Sequence, residues 1–255
     1  MGELRYPARN YFSLRGWFVR ILFGLIFCTV LASAQTSVPD EITREPHHRL
    51  LLQNDQERVF AVTLRPAEHF LVKHQYNFLV VTLQDCEMVM WNEGESEIAS
   101  FRFNQGDVRF FYAGAARGMR NDHTGLYRNI TVEFLNSKVT TFGYQANTGK
   151  WEYGGSAIGP PVDPGKKFNT TLKLGVVDVS DVQLLQRDVL EPPDKGTFEL
   201  LIPVTDLDMT NGSDLHIRKT SGDAWWIGDK RKTDLMNTSP DPARFALVEL
   251  KPAQN

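Results

Sequence analysis

Few side chains in this sequence are equipped for chemistry, and they are scattered along it. His74, Tyr76 and Arg117 are the best candidates for holding a polar ligand. A guanidinium presents paired N–H donors to a carboxylate or phosphate, and an imidazole and a phenol add hydrogen bonds. Glu68, His69 and His74 fall within seven residues and are of metal-ligating types. His123 and His216 have no His, Cys or carboxylate partner at metal-ligand spacing, and His47-His48 reads as a chance pair. Nucleophilic catalysis finds little support: no strand-turn-helix serine elbow occurs, and Cys86 has no evident His partner. Trp225-Trp226 offers a stacking platform for a sugar ring, but adjacent strand residues point to opposite faces, so packing is the better reading. Lys230-Arg231-Lys232 reads as a solvated turn. Asn129, Asn169, Asn211 and Asn237 each open an Asn-x-Ser/Thr triplet, and Asn129 lies against a predicted strand, which argues for coincidence.

The elements that must position these residues come in two copies. Gly106-Asp107-Val108 recurs as Gly222-Asp223-Ala224, and at the same offset of 116 residues Asn121 recurs as Asn237, Arg128 as Arg244 and Glu133 as Glu249. Around each copy, short apolar runs alternate with polar turns. In the first half the strand candidates include Phe78 to Thr82, Ser100 to Phe103, Val108 to Tyr112 and Ile130 to Leu135. In the second they include Leu172 to Val177, Phe198 to Val204, Ala224 to Ile227 and Ala243 to Leu250. This rhythm predicts an all-β sandwich or barrel in each half. Between them, residues 145–170 crowd Gly149, Gly154, Gly155, Gly159, Pro160, Pro161, Pro164 and Gly165 into a linker.

The N-terminus reads as a leader. Arg5, Arg9, Arg15 and Arg20 precede an apolar run from Ile21 to Leu31, and Ala32-Ser33-Ala34 closes it with small residues. That order is a secretory signal peptide, with cleavage expected after Ala34 and export to the periplasm or the medium. A run of eleven residues, apolar apart from Gly24 and Thr29, is too short to span a bilayer, so no membrane contact is expected after cleavage. The mature chain of 221 residues carries 24 basic and 30 acidic side chains, a net charge of −6. It has no counter-charge for nucleic acid or anionic lipid. Only Cys86 remains after cleavage, so no internal disulfide forms, and stability must come from core burial. The expected organisation is a leader over 1–34, a flexible lead-in over 35–50, one barrel over 51–144, the linker over 145–170 and a second barrel over 171–255.

In each half a Gly-Asp turn, a strand, a short loop, an Asn and a last strand ending in Glu follow one another. This order resembles the conserved barrel of the cupin superfamily, and the chain as a whole resembles a bicupin: two tandem double-stranded β-helix, or jelly-roll, barrels. Cupins hold one divalent metal with two His one residue apart, a Glu, and a later His four residues before an Asn. The resemblance places Val72 and His74 at the paired His positions of the first half, or His74 and Tyr76 in a register shifted by two. Phe78 or Val80 falls at the Glu and Arg117 at the last His. In the second half it places Pro193, Lys195 and Thr233 at the His positions, with Glu199 the one carboxylate near the right place. A guanidinium stays protonated and offers donors only, so the metal site is expected to be lost in both barrels.

The resemblance then implies that His74, Tyr76 and Arg117 face one another near the mouth of the first barrel. They form either a ligand pocket or a self-satisfied polar cluster. The expectation is an exported bicupin without metal or other cofactor, acting as a binding or structural module rather than an enzyme. Two alternatives stand beside it. One is a metal-dependent cupin enzyme (dioxygenase, isomerase or decarboxylase) using a divalent transition metal on Glu68, His69 and His74. The other is a sensor that takes a sugar or organic acid into the first barrel. A small molecule is the expected partner, and self-association into a homo-oligomer is open to such a barrel.

Overall fold

The computed structural model describes residues 40–95, 99–135, 154–157, 168–212, 216–228 and 231–252. The leader lies outside these residues. All regular structure among them is strand. The first half contributes β1 (Asp40–Glu41), β2 (His48–Gln53), β3 (Glu57–Leu64), β4 (His69–Lys73), β5 (Phe78–Thr82), β6 (Cys86–Asn92), β7 (Ala99–Phe103), β8 (Val108–Phe111), β9 (Ala116–Asn121) and β10 (Tyr127–Phe134). β11 (Gly154–Ala157) comes from the expected linker. The second half contributes β12 (Phe168–Leu174), β13 (Val177–Leu184), β14 (Val189–Leu190), β15 (Phe198–Pro203), β16 (Leu207–Thr210), β17 (His216–Lys219), β18 (Trp225–Gly228), β19 (Leu235–Asn237) and β20 (Ala243–Leu250).

Each half is two sheets. The first pairs the order β1-β4-β9-β6-β7 with β11-β8-β5-β10-β3-β2, and the second pairs β12-β13-β20-β15-β18 with β14-β19-β16-β17. Residues 40–50 of the expected lead-in are built into the first barrel instead: β1 pairs with β4, β2 pairs with β3, and Ile42 is fully buried. The expected linker likewise yields β11, which pairs with β8, and the start of β12.

The continuous apolar runs have a simple cause. Strands of the two facing sheets are buried on both sides, which favours apolar residues at both parities. On β10, Ile130, Val132 and Phe134 enter a core between the barrels, where Val179, Leu200, Ile202 and Val248 meet them. The opposite parity faces the first barrel's own core of Phe60, Val62, Met88, Phe103 and Tyr127. A third cluster, with Leu184, Leu201, Met209 and Phe245, fills the second barrel. The two tryptophans divide as strand alternation requires: Trp226 packs against the inter-barrel core and Trp225 against the second barrel's interior.

The repeated residues build the joint between the barrels. Arg128 donates to the Ser221 carbonyl at 3.0 Å, and its counterpart Arg244 donates to the Gln105 carbonyl at 3.2 Å. Each arginine thus reaches the Gly-Asp turn of the other barrel. The turn glycines have φ of +87° at Gly106 and +92° at Gly222, and a Cβ there would sit 2.3 Å and 2.6 Å from the opposing guanidinium. Glycine is required twice over, by backbone conformation and by close approach. The turns also share a carboxylate lock. Asp107 accepts from the Asn104 amide and Asp223 from the Thr220 amide, each at 2.8 Å. Asn121 and Asn237 do the same work in their own barrels: the amide of Asn121 donates to the Leu64 and Gly125 carbonyls, and that of Asn237 to the Leu184 and Asp241 carbonyls.

Candidate functional site

The interior of the first barrel is polar where that of the second is not. Residues of one parity on β10 point inward together: Tyr127, Asn129, Thr131 and Glu133, all buried. The Asn129 amide donates to the Tyr127 hydroxyl at 2.8 Å, and the Thr131 hydroxyl donates to the Asn129 side-chain oxygen at 2.9 Å. The matching stripe on β20 is Ala243, Phe245, Leu247 and Glu249, so only the last position stays polar.

Glu133 anchors the stripe. It is fully buried and accepts two N–H bonds from Arg58 on β3, at 2.9 Å from Nε and 2.6 Å from Nη2. Its other oxygen lies 3.0 Å from His74 Nδ1, just past the end of β4. Burial is the main cause that drops the His74 pKa to about 4, opposed by the Glu133 bond and aided by the nearby charges of His48 and Arg117. His74 is therefore a neutral imidazole at physiological pH, and its Nδ1 carries the proton donated to Glu133. Its ring stacks on Phe78 at 3.6 Å and 15°, and Phe78 stacks on Phe111 at 5.1 Å.

Arg117, on β9, approaches the same two rings, with its guanidinium carbon 5.8 Å from Phe78 and 5.4 Å from Phe111. One of its N–H groups donates to the Tyr112 carbonyl at 2.9 Å. Burial lowers its pKa to about 10, which leaves it a cation at neutral pH. His74 and Arg117 line one small cavity of about 30 Å³, together with His48, Met90, Met119 and Thr131. That volume is close to the share of one water molecule in the liquid.

Of the residues expected at the site, the structure thus brings His74 and Arg117 to one cavity. Tyr76 is not part of its lining; its ring instead receives the Arg58 guanidinium at 5.3 Å. Glu68, His69 and His74 do not converge. Strand alternation leaves His69 exposed on the outer face while Phe70, Val72 and His74 face inward, and Glu68 caps its own turn by accepting from the Arg65 amide at 2.7 Å.

Two polar clusters have no counterpart in the sequence reading. His47-His48 is not a chance pair on a flexible segment. His48 is buried and hydrogen-bonded to the buried Glu45 carboxylate, which His47 also contacts at 2.6 Å. Burial by itself raises the Glu45 pKa, but the two imidazole hydrogen bonds outweigh it and hold the carboxyl below its usual range. Nor is Arg231 in a solvated turn. It is buried, with a two-pronged bond to Glu199 at 2.7 Å and 2.6 Å and further bonds to the Leu190 and Glu191 carbonyls. Two of the Asn-x-Ser/Thr asparagines, Asn129 and Asn237, are buried with their amides engaged. His216 meets Asp208 at 2.6 Å on the surface of β16–β17.

The metal expected of a cupin barrel does not fit these residues. Strand register aligns Phe78, opposite Glu133, with Glu199, opposite Glu249, so Phe78 occupies the carboxylate position of the first barrel. Val72, Phe78 and Arg117 supply no lone pair to a cation, and Phe78 covers one face of the one imidazole that remains. In the second barrel Glu199 is the surviving carboxylate, and Arg231 already takes both of its oxygens. Among the described residues no group of three His, Cys, Asp or Glu side chains is arranged to hold a metal ion.

No protein-family model and no curated protein matches the chain. Solved structures do resemble it. AerE from Microcystis aeruginosa superposes with a TM-score of 0.58 at 10% identity, covering 84% of this chain and 98% of its own. Vicilin from Capsicum annuum gives 0.53 at 12% identity over 79% of this chain and 77% of its own. A cupin 2 conserved barrel domain protein from Leptotrichia buccalis gives 0.50 at 10% identity over 80% of this chain and 88% of its own. Likeness at such low identity speaks for the fold, and it agrees with the sheet order and the duplicated turns: the chain folds as a bicupin, two cupin-type barrels in tandem.

Proposed function

We propose that this protein is an exported binding module that holds a small organic anion inside its first barrel and does no metal-dependent chemistry. The observation that carries the reading is the asymmetry between the two interiors. Buried polar groups cost stability unless they are satisfied, and a duplicated core that kept Ala243, Phe245 and Leu247 in one copy had an apolar solution at hand. The first copy instead keeps Asn129, Thr131 and Glu133 beside His74 and Arg117. The cavity of about 30 Å³ is too small for an organic acid as it stands, so a carboxylate enters only as the surrounding side chains give way; it then meets the Arg117 cation, with Phe78 and Phe111 packing its apolar part. The second barrel, with Glu199 and Arg231 closed on each other, serves as a structural partner. Export rests on the leader sequence alone.

Thermal-shift screening of the purified protein against small carboxylates, phosphate and sugars tests this. A ligand at a hundredfold excess over its Kd stabilises by about 2.7 kcal/mol. A carboxylate-dependent shift that disappears in Arg117→Ala is the expected result. The anion reading fails if no compound moves the transition, or if Arg117→Ala keeps the shift. Elemental analysis of the natively purified protein is the second arm. Stoichiometric Fe, Mn, Zn or Ni that is lost in His74→Ala would overturn the metal-free reading.

A further inference from the structure

Outside the barrel interiors, the two copies differ most in charge where they meet. On the first barrel, Thr63 of β3 lies opposite Arg128 of β10, and its amide donates to the His47 carbonyl at 3.2 Å. One row along, Ala61 lies between Arg49 of β2 and Ile130 of β10. Residues opposite each other on neighbouring strands share a face, and Ala61 and Ile130 pack in the inter-barrel core. Arg49 and Arg128 therefore border that core. They line a groove of about 450 Å³ with His47, Thr63 and Arg65, and the Gly222 turn of the second barrel forms part of its wall.

In the second barrel the same rows read Gln183 opposite Arg244, then Asp181 opposite Ala246. Arg244 is neutralised there, because Asp181 accepts from its Nε at 3.1 Å and its Nη2 at 2.8 Å. The first barrel has Ala61 at the place of Asp181, and Arg49 on β2 where β12 has Asn169. The register shifts after Leu50 and after Thr170 fall at matching points and support this alignment. Arg128 donates to the Ser221 carbonyl, but among the described residues no carboxylate pairs with the side chains of Arg49, Arg65 or Arg128. The one carboxylate in the lining, Glu68, accepts from the Arg65 amide and lies 3.6 Å from His47, whose other ring nitrogen meets Glu45. The groove thus sets three arginines against one glutamate, whereas its counterpart on the second barrel sets three cations against four aspartates.

We propose that the groove beside Arg49, Arg65 and Arg128 is a second binding site, for a small molecule that carries two or more phosphate, sulfate or carboxylate groups. Each guanidinium offers a planar fork of donors to such a group. Arg49 and Arg128 flank β3, so their backbones stand two strand spacings apart, roughly 10 Å. Two anionic groups on one small molecule can engage both, with the Thr63 side chain exposed between them. The anion also relieves the repulsion among cations that lack carboxylates, a task that Asp181 performs for Arg244 in the second copy. The site is separate from the cavity at Arg117, which none of these three arginines lines.

Titration calorimetry with inorganic pyrophosphate as the probe, at low salt, tests the site. The expected result is one pyrophosphate per chain with a Kd of about 1 mM or tighter, weakening as salt is raised. Two variants borrow the second barrel's own residues. Arg49→Asn removes one cation from the exposed edge strand, and Ala61→Asp gives Arg128 the partner that Arg244 already has. Each, folded by circular dichroism, should weaken binding by at least about fivefold. No saturable heat up to roughly 10 mM pyrophosphate overturns the proposal. So does natural affinity in either folded variant, which would put the anion elsewhere on the molecule. If Ala61→Asp fails to fold, Arg49→Asn decides alone.

Discussion

Glu57 makes the pH dependence of this fold predictable. It opens β3 opposite Phe134 and shares the parity of Val59, which packs in the inter-barrel core. The side chain is fully buried, and among the described residues neither carboxyl oxygen has a hydrogen-bond partner. Burial pushes its pKa up to about 8, so the group is a neutral acid at pH 7. A carboxyl whose folded pKa exceeds its unfolded value supports folding while protonated. That contribution is complete below the ordinary value of 4.5 and is lost as pH rises through about 8. Within the window the slope is about 1.4 kcal/mol per pH unit, so roughly 3 kcal/mol is gone by pH 7 and as much as ~5 kcal/mol by pH 8. Glu57→Gln keeps the shape and cannot ionise. Urea unfolding followed by tryptophan fluorescence at pH 5 to 8 should show the two proteins close together at pH 5. The variant should become the more stable by a few kcal/mol at pH 8. Parallel profiles for the two proteins would refute the reasoning, because Glu57 would then be ionised in the folded state or solvated by opening of the joint.

Two further outcomes follow from buried pairs and close approaches. Arg231→Met should destabilise the protein by about 3–5 kcal/mol by leaving the Glu199 charge buried alone, whereas Glu199→Leu with Arg231→Leu should be near neutral; equal losses in both, read from urea midpoints, would remove the pair from the account. Gly106→Ala should cost about 1–3 kcal/mol from its positive φ alone, and more from contact with Arg244. Adding Arg244→Ala should then recover part of the loss, and strict additivity in thermal unfolding would show that the guanidinium does not press on this turn.

The duplication was legible because its residues answer to local rules. Gly106 and Gly222 need positive φ, Asp107 and Asp223 close their own turns, and Asn121 and Asn237 tie nearby carbonyls. The expected positions of Phe78 and Glu199 at one structural point also agree with strand register. The polar clusters were harder to read. His48 looked like part of a loose lead-in because nothing nearby in sequence told of Ile42 filling the core of the first barrel. Arg231 sat between two lysines, and a run of three cations reads as solvent-facing until its partner is known.

By itself, the sequence determined that there are two copies of one β unit and that the two halves differ in the residues around the repeated turns. Strand alternation is a property of the backbone, so it could be read directly. Which side of a strand is inside is not such a property. Tyr127, Asn129, Thr131 and Glu133 alternate with apolar residues as a solvent face would, yet they line the barrel interior, because the opposite parity is claimed by the second barrel. Only closure of the barrels and their packing made that choice, and the same closure brought Arg58 to Glu133 and Arg231 to Glu199 across long stretches of chain.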